Sequence, residues 1–478
     1  MANTLRAGAA GAPGLDLSRS VVYSLGHCIS TRPHPLVQLS VASRELVMSD
    51  NPKLLYLSPS TLMTTLTLSA MLAAAPAARG QSDLGFALPE TVGLSAAVLD
   101  TATARLGRHI EAGDIPGVVA AVARDNKIVY FQALGMQDRE AGKAMTDNSL
   151  FRVYSMTRQI TSTAILMLQE DGLLDVNDPI QKYLPQFADQ TVFLDPENPD
   201  PAQTRPRVGD ITIAHLLTHS GGLGARSEPV YVANAVRDRN ITLDEMVDNV
   251  ARMPLFSDPG TRFRYGLSAT VLGKVVEVVS GQPLEDFLHQ RLFTPVGMTD
   301  TVFYADSTRL ERLTTVYRPR DGELVPYEIE TVPFSQRPRL IEGGVGLLST
   351  VMDYLRFSQM LLNGGEINGQ RVLAPETVEK IFSNAVPAEV LPLNSRGYWT
   401  GSGWTLGGFN IVMDNSAYDF PVSNGTIWWD GSAGTRYFID PQQNMVSVIM
   451  APVSPAGGGG FREEFKELVD GAILQRRP

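Results

Sequence analysis

Three short stretches of this sequence carry side chains whose types and spacing suit acyl-transfer chemistry. The first is Ser155-Met156-Thr157-Arg158. Residues three apart on a helix share a face, so this serine and this arginine point the same way. A serine at a helix N-terminus also sits in positive potential, which favours developing negative charge. The second is Tyr265, in PGTRFRYGLSATVLG, just before a helical stretch. A phenol placed there could stand beside the serine and relay its proton. The third is Trp429-Asp430-Gly431, followed by Ser432-Ala433-Gly434-Thr435 and an alternating stretch. Small residues at a strand start let backbone N–H groups come close to a substrate. Each stretch has a bland reading too: a routine serine N-cap, a packed tyrosine at a helix entry, a glycine-rich approach to a hairpin. Their order and their surroundings give them weight.

The elements that must position these groups are legible from periodicity. Residues 94–112 place apolar side chains at helical spacing, with Ser95 as the N-cap. GVVAAVARD and KIVYFQALG form a hairpin around Asp125-Asn126. SMTRQITSTAILMLQEDG is a helix ending at Gly172, ITIAHLLTHSGGLG a short one closed by glycines, and 269–279 an amphipathic one ended by Ser280-Gly281. TVMDYLRFSQMLLNGG and PETVEKIF are two more helices. TRYFIDP and MVSVIMAP form a second hairpin, and EEFKELVDGAIL closes the chain as a helix. The expected domain runs from about 85 to 476. Its sheet part comes from both chain ends, about 88–150 and 340–476, and a mostly helical part, about 155–340, is inserted between them.

Composition narrows the classes. The chain has 478 residues, 44% hydrophobic and 19% charged, with net charge −11. That balance, without any basic stripe, argues against a nucleic-acid partner. Cys28 is the single cysteine, which excludes a disulfide framework and a thiolate metal site in the main domain. His215 and His219 are spaced i, i+4, but no HExxH glutamate or third ligand accompanies them, so no metal is expected. Glu170-Asp171 and Asp175/Asp178 read as solvated loop acids. Residues 1–80 read as an extension. Within it, 61–78 is an uncharged apolar run that follows Lys53 and contains Ala75-Pro76-Ala77, a small-x-small cleavage pattern. The expectation is a signal peptide, a start at Met48 or Met63, and an exported protein, periplasmic or secreted, with no stable membrane span after cleavage. The oligomeric state is left open.

The phrases LFRVYSMTRQITS, ITIAHLLTHSGGL, PGTRFRYGLSATVLGKVVEVVSG, LFTPVGMTDT, EGGVGLLSTVMDYLRFSQMLLNGG and GSAGTRYFIDP lie between about 90 and 475. Together they resemble the class C β-lactamase-related serine hydrolases, which include family VIII carboxylesterases and D-Ala-D-Ala carboxypeptidase-like proteins. The resemblance implies an α/β (α+β) β-lactamase/transpeptidase-like fold: an antiparallel sheet flanked by helices, with the active site between the sheet and the helical part. It implies that Ser155 is acylated and that water releases the acyl group. It also implies that Tyr265 relays the proton, that the N–H groups of Ser155 and Ser432 form the oxyanion hole, and that no cofactor is needed. The implied partner is a small-molecule ester or amide.

Several residues depart from that pattern. Arg158 stands where the family has lysine, and a guanidinium, with pKa above about 12, cannot accept the serine proton. Either Tyr265 is the only base, its pKa lowered by about 1–3 units by the Arg158 charge, or the site is weakened and the protein binds ligands. Gly266 replaces a Ser or Ala, and Leu267 replaces the Asn of β-lactamases. Trp429 stands where β-lactamases carry Lys or His. The expected substrate-binding residues are Trp429 as an apolar wall, Asp430, which would repel a carboxylate, and Gly431. Ester substrates with apolar acyl groups are therefore expected over carboxylate-bearing β-lactams. One of Trp428 and Trp429 is expected in the core, and Glu342 is expected at a turn near the site.

Overall fold

The computed structural model describes residues 84–456 and 458–477. Cys28 and the 61–78 segment lie outside the described residues. In chain order, the elements that frame the site begin with β1 (Gly85–Phe86), α1 (Ala96–Glu111), β2 (Gly117–Arg124) and β3 (Lys127–Asp138). Three helices follow: α2 (Thr157–Glu170), α3 (Ile213–Leu217) and α4 (Ser268–Ser280). Next come α5 (Val351–Leu362) and α6 (Pro375–Ile381). Strands β4 (Ser402–Trp404), β5 (Asn410–Val412), β6 (Ile427–Gly431), β7 (Thr435–Asp440) and β8 (Met445–Met450) lead to the closing helix α7 (Phe461–Gly471).

The sheet runs β1-β3-β2-β8-β7-β6-β5-β4, and Lys143–Ala144 adds a ninth, short strand beside β3. Both chain ends meet at its centre, where β2 pairs antiparallel with β8. The expectation of a purely antiparallel sheet needs one correction. The edge strand β1 pairs parallel with β3, so the sheet is mixed. The chain crosses the sheet in α1 before it lays down β2 and β3, so the entering strand and β3 run the same way.

The hairpin turn Asp125-Asn126 takes positive φ at both residues, 54° and 59°, the backbone that a two-residue turn between twisted strands requires. Ser95 caps α1 by accepting from the Val98 N–H, a contact worth ~1 kcal/mol.

Strand β2 reads as an unbroken apolar run because both of its faces are covered. Val118, Ala120 and Val122 pack with Leu99 and Leu106 of α1 and Phe461, Phe465 and Val469 of α7. Val119, Ala121 and Ala123 point the other way, into the larger core with Ile160, Tyr354 and Val448. Strand β6 splits in the same manner. Ile427 and Trp429 face the large core, while Trp428 stacks on Phe438 in a separate cluster, so both tryptophans are buried where one was expected to be. No helix among the described residues is long and apolar enough to cross a membrane.

Candidate active site

Ser155 lies in a single 3₁₀ turn, Tyr154–Met156, that runs directly into α2. The turn is held from several sides. The Tyr354 hydroxyl of α5 donates to the Met156 carbonyl at 2.8 Å, Thr157 Oγ1 accepts from the Leu347 N–H at 3.1 Å, and Thr161 Oγ1 donates to the Gly343 carbonyl at 2.8 Å. Tyr154 itself has φ of +41°. For a bulky residue that is a sparsely populated backbone, kept only where the surroundings over-determine it. It stands immediately before the candidate nucleophile.

Tyr265 precedes α4 and is enclosed by aromatic rings. Its ring centroid is 4.7 Å from His219, 5.1 Å from Trp429 and 5.9 Å from Trp404. The Ser155 side chain approaches the phenol as a hydrogen-bonding partner. The Trp429 Nε1–H donates to the phenol oxygen at 3.0 Å. Trp429 is therefore more than the expected apolar wall. An indole nitrogen is a donor only, so the phenol oxygen must accept there. The Ser155 hydroxyl lowers the phenol's pKa as the indole does, as a second donor to the same oxygen.

Arg158 is buried, and it does not reach the phenol oxygen. One guanidinium nitrogen, Nη1, donates to the Gly266 carbonyl at 2.7 Å, and Cζ lies 4.2 Å from the Tyr265 ring centroid. The cation thus covers the ring face. This corrects the expectation that Arg158 turns Tyr265 into a ready base. Burial pushes the phenol above its ordinary range. Arg158, Ser155 and Trp429 pull it down, Asp430 pushes it slightly up, and burial prevails. In the resting site the tyrosine is a neutral phenol.

The third stretch divides by strand alternation. Gly431 makes room for a neighbouring backbone, where room for a substrate was expected: a Cβ there would lie 2.4 Å from the Val153 carbonyl oxygen, so only glycine lets β6 come this close to the serine turn. Ser432 follows in the β6–β7 turn and is exposed, and its N–H has no hydrogen-bond partner among the described residues. Asp430 does not line the pocket. It points to the opposite face of the sheet, where its Oδ2 accepts from Arg436 at 3.1 Å and Arg462 at 3.3 Å. Arg436 also reaches Glu463 of α7 at 2.7 Å. A carboxylate matched by two guanidinium groups behind the sheet offers little repulsion to a substrate in front of it.

Gly266 and Leu267 find their reasons in packing. A Cβ on Gly266 would lie 2.3 Å from the Gly224 carbonyl oxygen. Leu267 is buried in the large core. The two histidines do not share a helix face, because α3 ends before His219, which has φ of +54°. His215 Nδ1 accepts the Thr212 N–H as part of a capping box. His219 is a residue that sequence reasoning set aside too quickly. Its carbonyl accepts the Arg264 N–H at 2.7 Å and its Nδ1 accepts the Gly266 N–H at 3.4 Å, so it grips both neighbours of Tyr265. Burial and the nearby Arg158 charge hold its own pKa well below the usual histidine value, so the ring is neutral. The phrase LLTHSGGLG was the signal for it. Glu342 is buried and accepts from Arg237 and from the Thr270 hydroxyl. The loop acids are structural: Asp171 pairs with Arg291, and Asp178 with Lys182. No cluster among the described residues could hold a metal ion.

The family model described as Beta-lactamase matches residues 102–465. Esterase EstB of Burkholderia gladioli is 31% identical over 375 residues, covering 72% of this chain and 88% of the relative. A putative D-alanyl-D-alanine carboxypeptidase of Escherichia coli (strain K12) is 28% identical over 399 residues, covering 77% of this chain and 85% of the relative. The solved structure of "EstCE1, a hydrolase with promiscuous acyltransferase activity" superposes with a TM-score of 0.68 at 25% identity, covering 79% of this chain and 99% of that one.

Proposed function

Since this chain belongs to the beta-lactamase family and is a serine hydrolase of that family, we propose that it cleaves carboxylic esters of small molecules through an acyl-enzyme on Ser155. Amides and β-lactams are further candidates, disfavoured by a neutral indole at the position where a cation would anchor their carboxylate. The observation that carries this reading is the chain of contacts Ser155–Tyr265–Trp429, in which the phenol accepts from the indole and faces the serine.

In the proposed cycle Tyr265, in its phenolate form, takes the Ser155 proton as Oγ bonds to the acyl carbon. The N–H groups of Ser155 and Ser432 receive the negative oxygen. The proton then passes from Tyr265 to the departing alkoxide, and a water molecule, activated by the same phenolate, releases the acid and restores the serine. Arg158 stabilises the phenolate from the ring face and takes no proton. An alcohol in place of that water would accept the acyl group instead, the kind of transfer for which EstCE1 is called a hydrolase with promiscuous acyltransferase activity.

A second reading has its own support: burial raises the phenol above its ordinary range, and the cation beside it, Arg158, cannot serve as a base in its place. In that reading the protein is a weak catalyst or a ligand-binding member of the family. Short p-nitrophenyl esters and a fluorophosphonate probe separate the two. Ser155-dependent turnover and labelling are expected. Turnover that survives Ser155→Ala would remove the nucleophile assignment, and a large rate increase in Arg158→Lys would favour the weakened site. The same proposal takes 61–78 as a cleaved export signal. Fractionation of the native host and N-terminal sequencing test it, and a mature chain that retains residues 1–47 would exclude it.

A further inference from the structure

The nucleophile turn has a second polar neighbourhood that the ester chemistry does not use. Tyr154 turns its side chain away from Ser155 into a small cluster with Phe334, Val345 and Ala433, the last next to Ser432. Its hydroxyl is fully buried yet has no hydrogen-bond partner. Its electrostatic neighbours are Glu330, Arg152, Arg226 and Glu328, so the phenol points toward charge. The Arg226 guanidinium stands over its ring, with Cζ 5.6 Å from the centroid.

Arg226 is also tied to the other half of the site. It lies two residues after Gly224, whose carbonyl accepts the Leu267 N–H at 3.0 Å and packs against Gly266 beside Tyr265. Arg226 thus sits between the neighbours of Ser155 and the neighbours of Tyr265. There it lines a cavity of about 250 Å³ with Ser227, Arg237, Ile329 and Glu330.

The charges around this cavity are unequally committed. Glu330 Oε1 accepts from Arg226 at 3.0 Å and Oε2 from Arg237 at 3.0 Å. Glu342 also holds Arg237, at 2.8 Å. Both carboxylates are therefore engaged. Arg226 spends one nitrogen on Glu330, is about a third exposed, and its other N–H groups have no hydrogen-bond partner among the described residues. Behind it, the buried Arg239 leaves Nε and Nη2 without hydrogen bonds. Three guanidinium groups face two carboxylates. Donors are in excess along the cavity wall: the remaining Arg226 N–H groups and the Ser227 hydroxyl.

We propose that this cavity is a carboxylate-binding subsite of the active site, anchored by Arg226 where it stands over the Tyr154 ring, and that the preferred esters carry a carboxylate at the far end of the acyl chain. The inference rests on the proposed esterase reading and narrows its substrate class. It places anion recognition away from the third motif, where Trp429 has displaced the cation. The acyl group would run past apolar walls near Ser155 and end on the guanidinium in a charge-assisted hydrogen bond.

The test uses 4-nitrophenyl hemi-esters of succinate, glutarate and adipate, each against the matching ester whose far carboxylate is a neutral carboxamide. For at least one chain length, kcat/KM should favour the acid over the amide by about tenfold or more, the size of a charge-assisted contact. Arg226→Gln should bring that ratio close to one, Arg226→Lys should keep part of it, and Tyr154→Phe, which keeps the ring beneath the guanidinium, should leave it within about twofold. The ratio is internal to each variant, so a partly folded preparation does not obscure it. No preference at any length, or a preference that Arg226→Gln leaves intact, overturns the subsite. Ser155-dependent cleavage of the amide esters without any acid preference would fail the subsite alone, whereas no Ser155-dependent cleavage of either series would fail the esterase reading beneath it.

Discussion

The two faces of β6 handle buried polarity in opposite ways. On the α7 face, Asp430 accepts from Arg436 and Arg462, and Arg436 continues to Glu463. Charge there is matched by opposite charge. On the other face, Arg158 and Tyr265 are buried against each other among aromatic rings, and the donors on the phenol are a neutral indole and the serine. No carboxylate among the described residues pairs with Arg158, whose Nη1 goes to the Gly266 carbonyl. The first arrangement is at rest in its ground state. The second is complete only when negative charge appears, on the phenol or on a substrate oxygen, which is how preorganised polarity accelerates a reaction. Neighbouring residues of one strand can thus serve stability and chemistry separately, because alternation sends them to different faces.

The contrast can be broken by substitution, beginning with the group expected to matter most. Tyr265→Phe keeps the ring and removes the proton relay, so esterase kcat/KM should fall by about 10²–10⁴-fold. A loss under about threefold would mean that another group carries the proton.

Arg158→Met removes the cation over the ring. In the native protein the raised phenol is mostly protonated at neutral pH, so the base fraction and kcat/KM should climb about tenfold per pH unit from 7 to 9. Without Arg158 one of the downward influences on that pKa is gone. The rising limb should then move to higher pH, and the rate at pH 7 should fall by about 10- to 100-fold. A pH profile that Arg158→Met leaves in place would show that the cation acts only in packing.

Trp429→Phe deletes one neutral donor and keeps an aromatic wall. The expected loss in kcat/KM is about three- to tenfold, again with the limb displaced upward. On the α7 face the effect should invert. Arg436→Met should cost ~1–3 kcal/mol of unfolding free energy in denaturant titration, while activity per folded molecule stays within about twofold. If Arg436→Met instead changed the pH profile of hydrolysis, the two faces would not be independent.

Much of this layout could be read before any coordinates. Helical periodicity located α1, α2, α4 and α5, and alternating or unbroken apolar runs located both hairpins, because those patterns record which faces are buried. The order Ser155, Tyr265, Gly431-Ser432 named segments that the fold brings together. Asp430 was misplaced for a reason the sequence already contained: adjacent strand residues cannot both face one pocket, so once Trp429 faces in, Asp430 must face out. The Trp429–Tyr265 hydrogen bond was not legible. It depends on the β6 register, Trp429 opposite Tyr437, and on where α4 lies across it. The balance at Tyr265 was equally hidden, since a sequence names the cation that lowers a pKa and not the depth of burial that raises it. Arg226 carried no signal at all, because its importance comes from standing between segments more than 100 residues apart in the chain.

The pairing of β2 with β8 sets a rule for how this molecule comes into being. Val119 lies opposite Met450, so the centre of the sheet closes only after nearly the whole chain has left the ribosome. Until then β2 is an apolar strand with an unpaired edge, the kind of surface that invites aggregation and proteolysis. A fragment that ends before Met445 contains Ser155 and Tyr265 but has no partner for that edge. Prematurely terminated chains should therefore be cleared by the cell as unfolded polypeptide rather than persist as small, unregulated hydrolases.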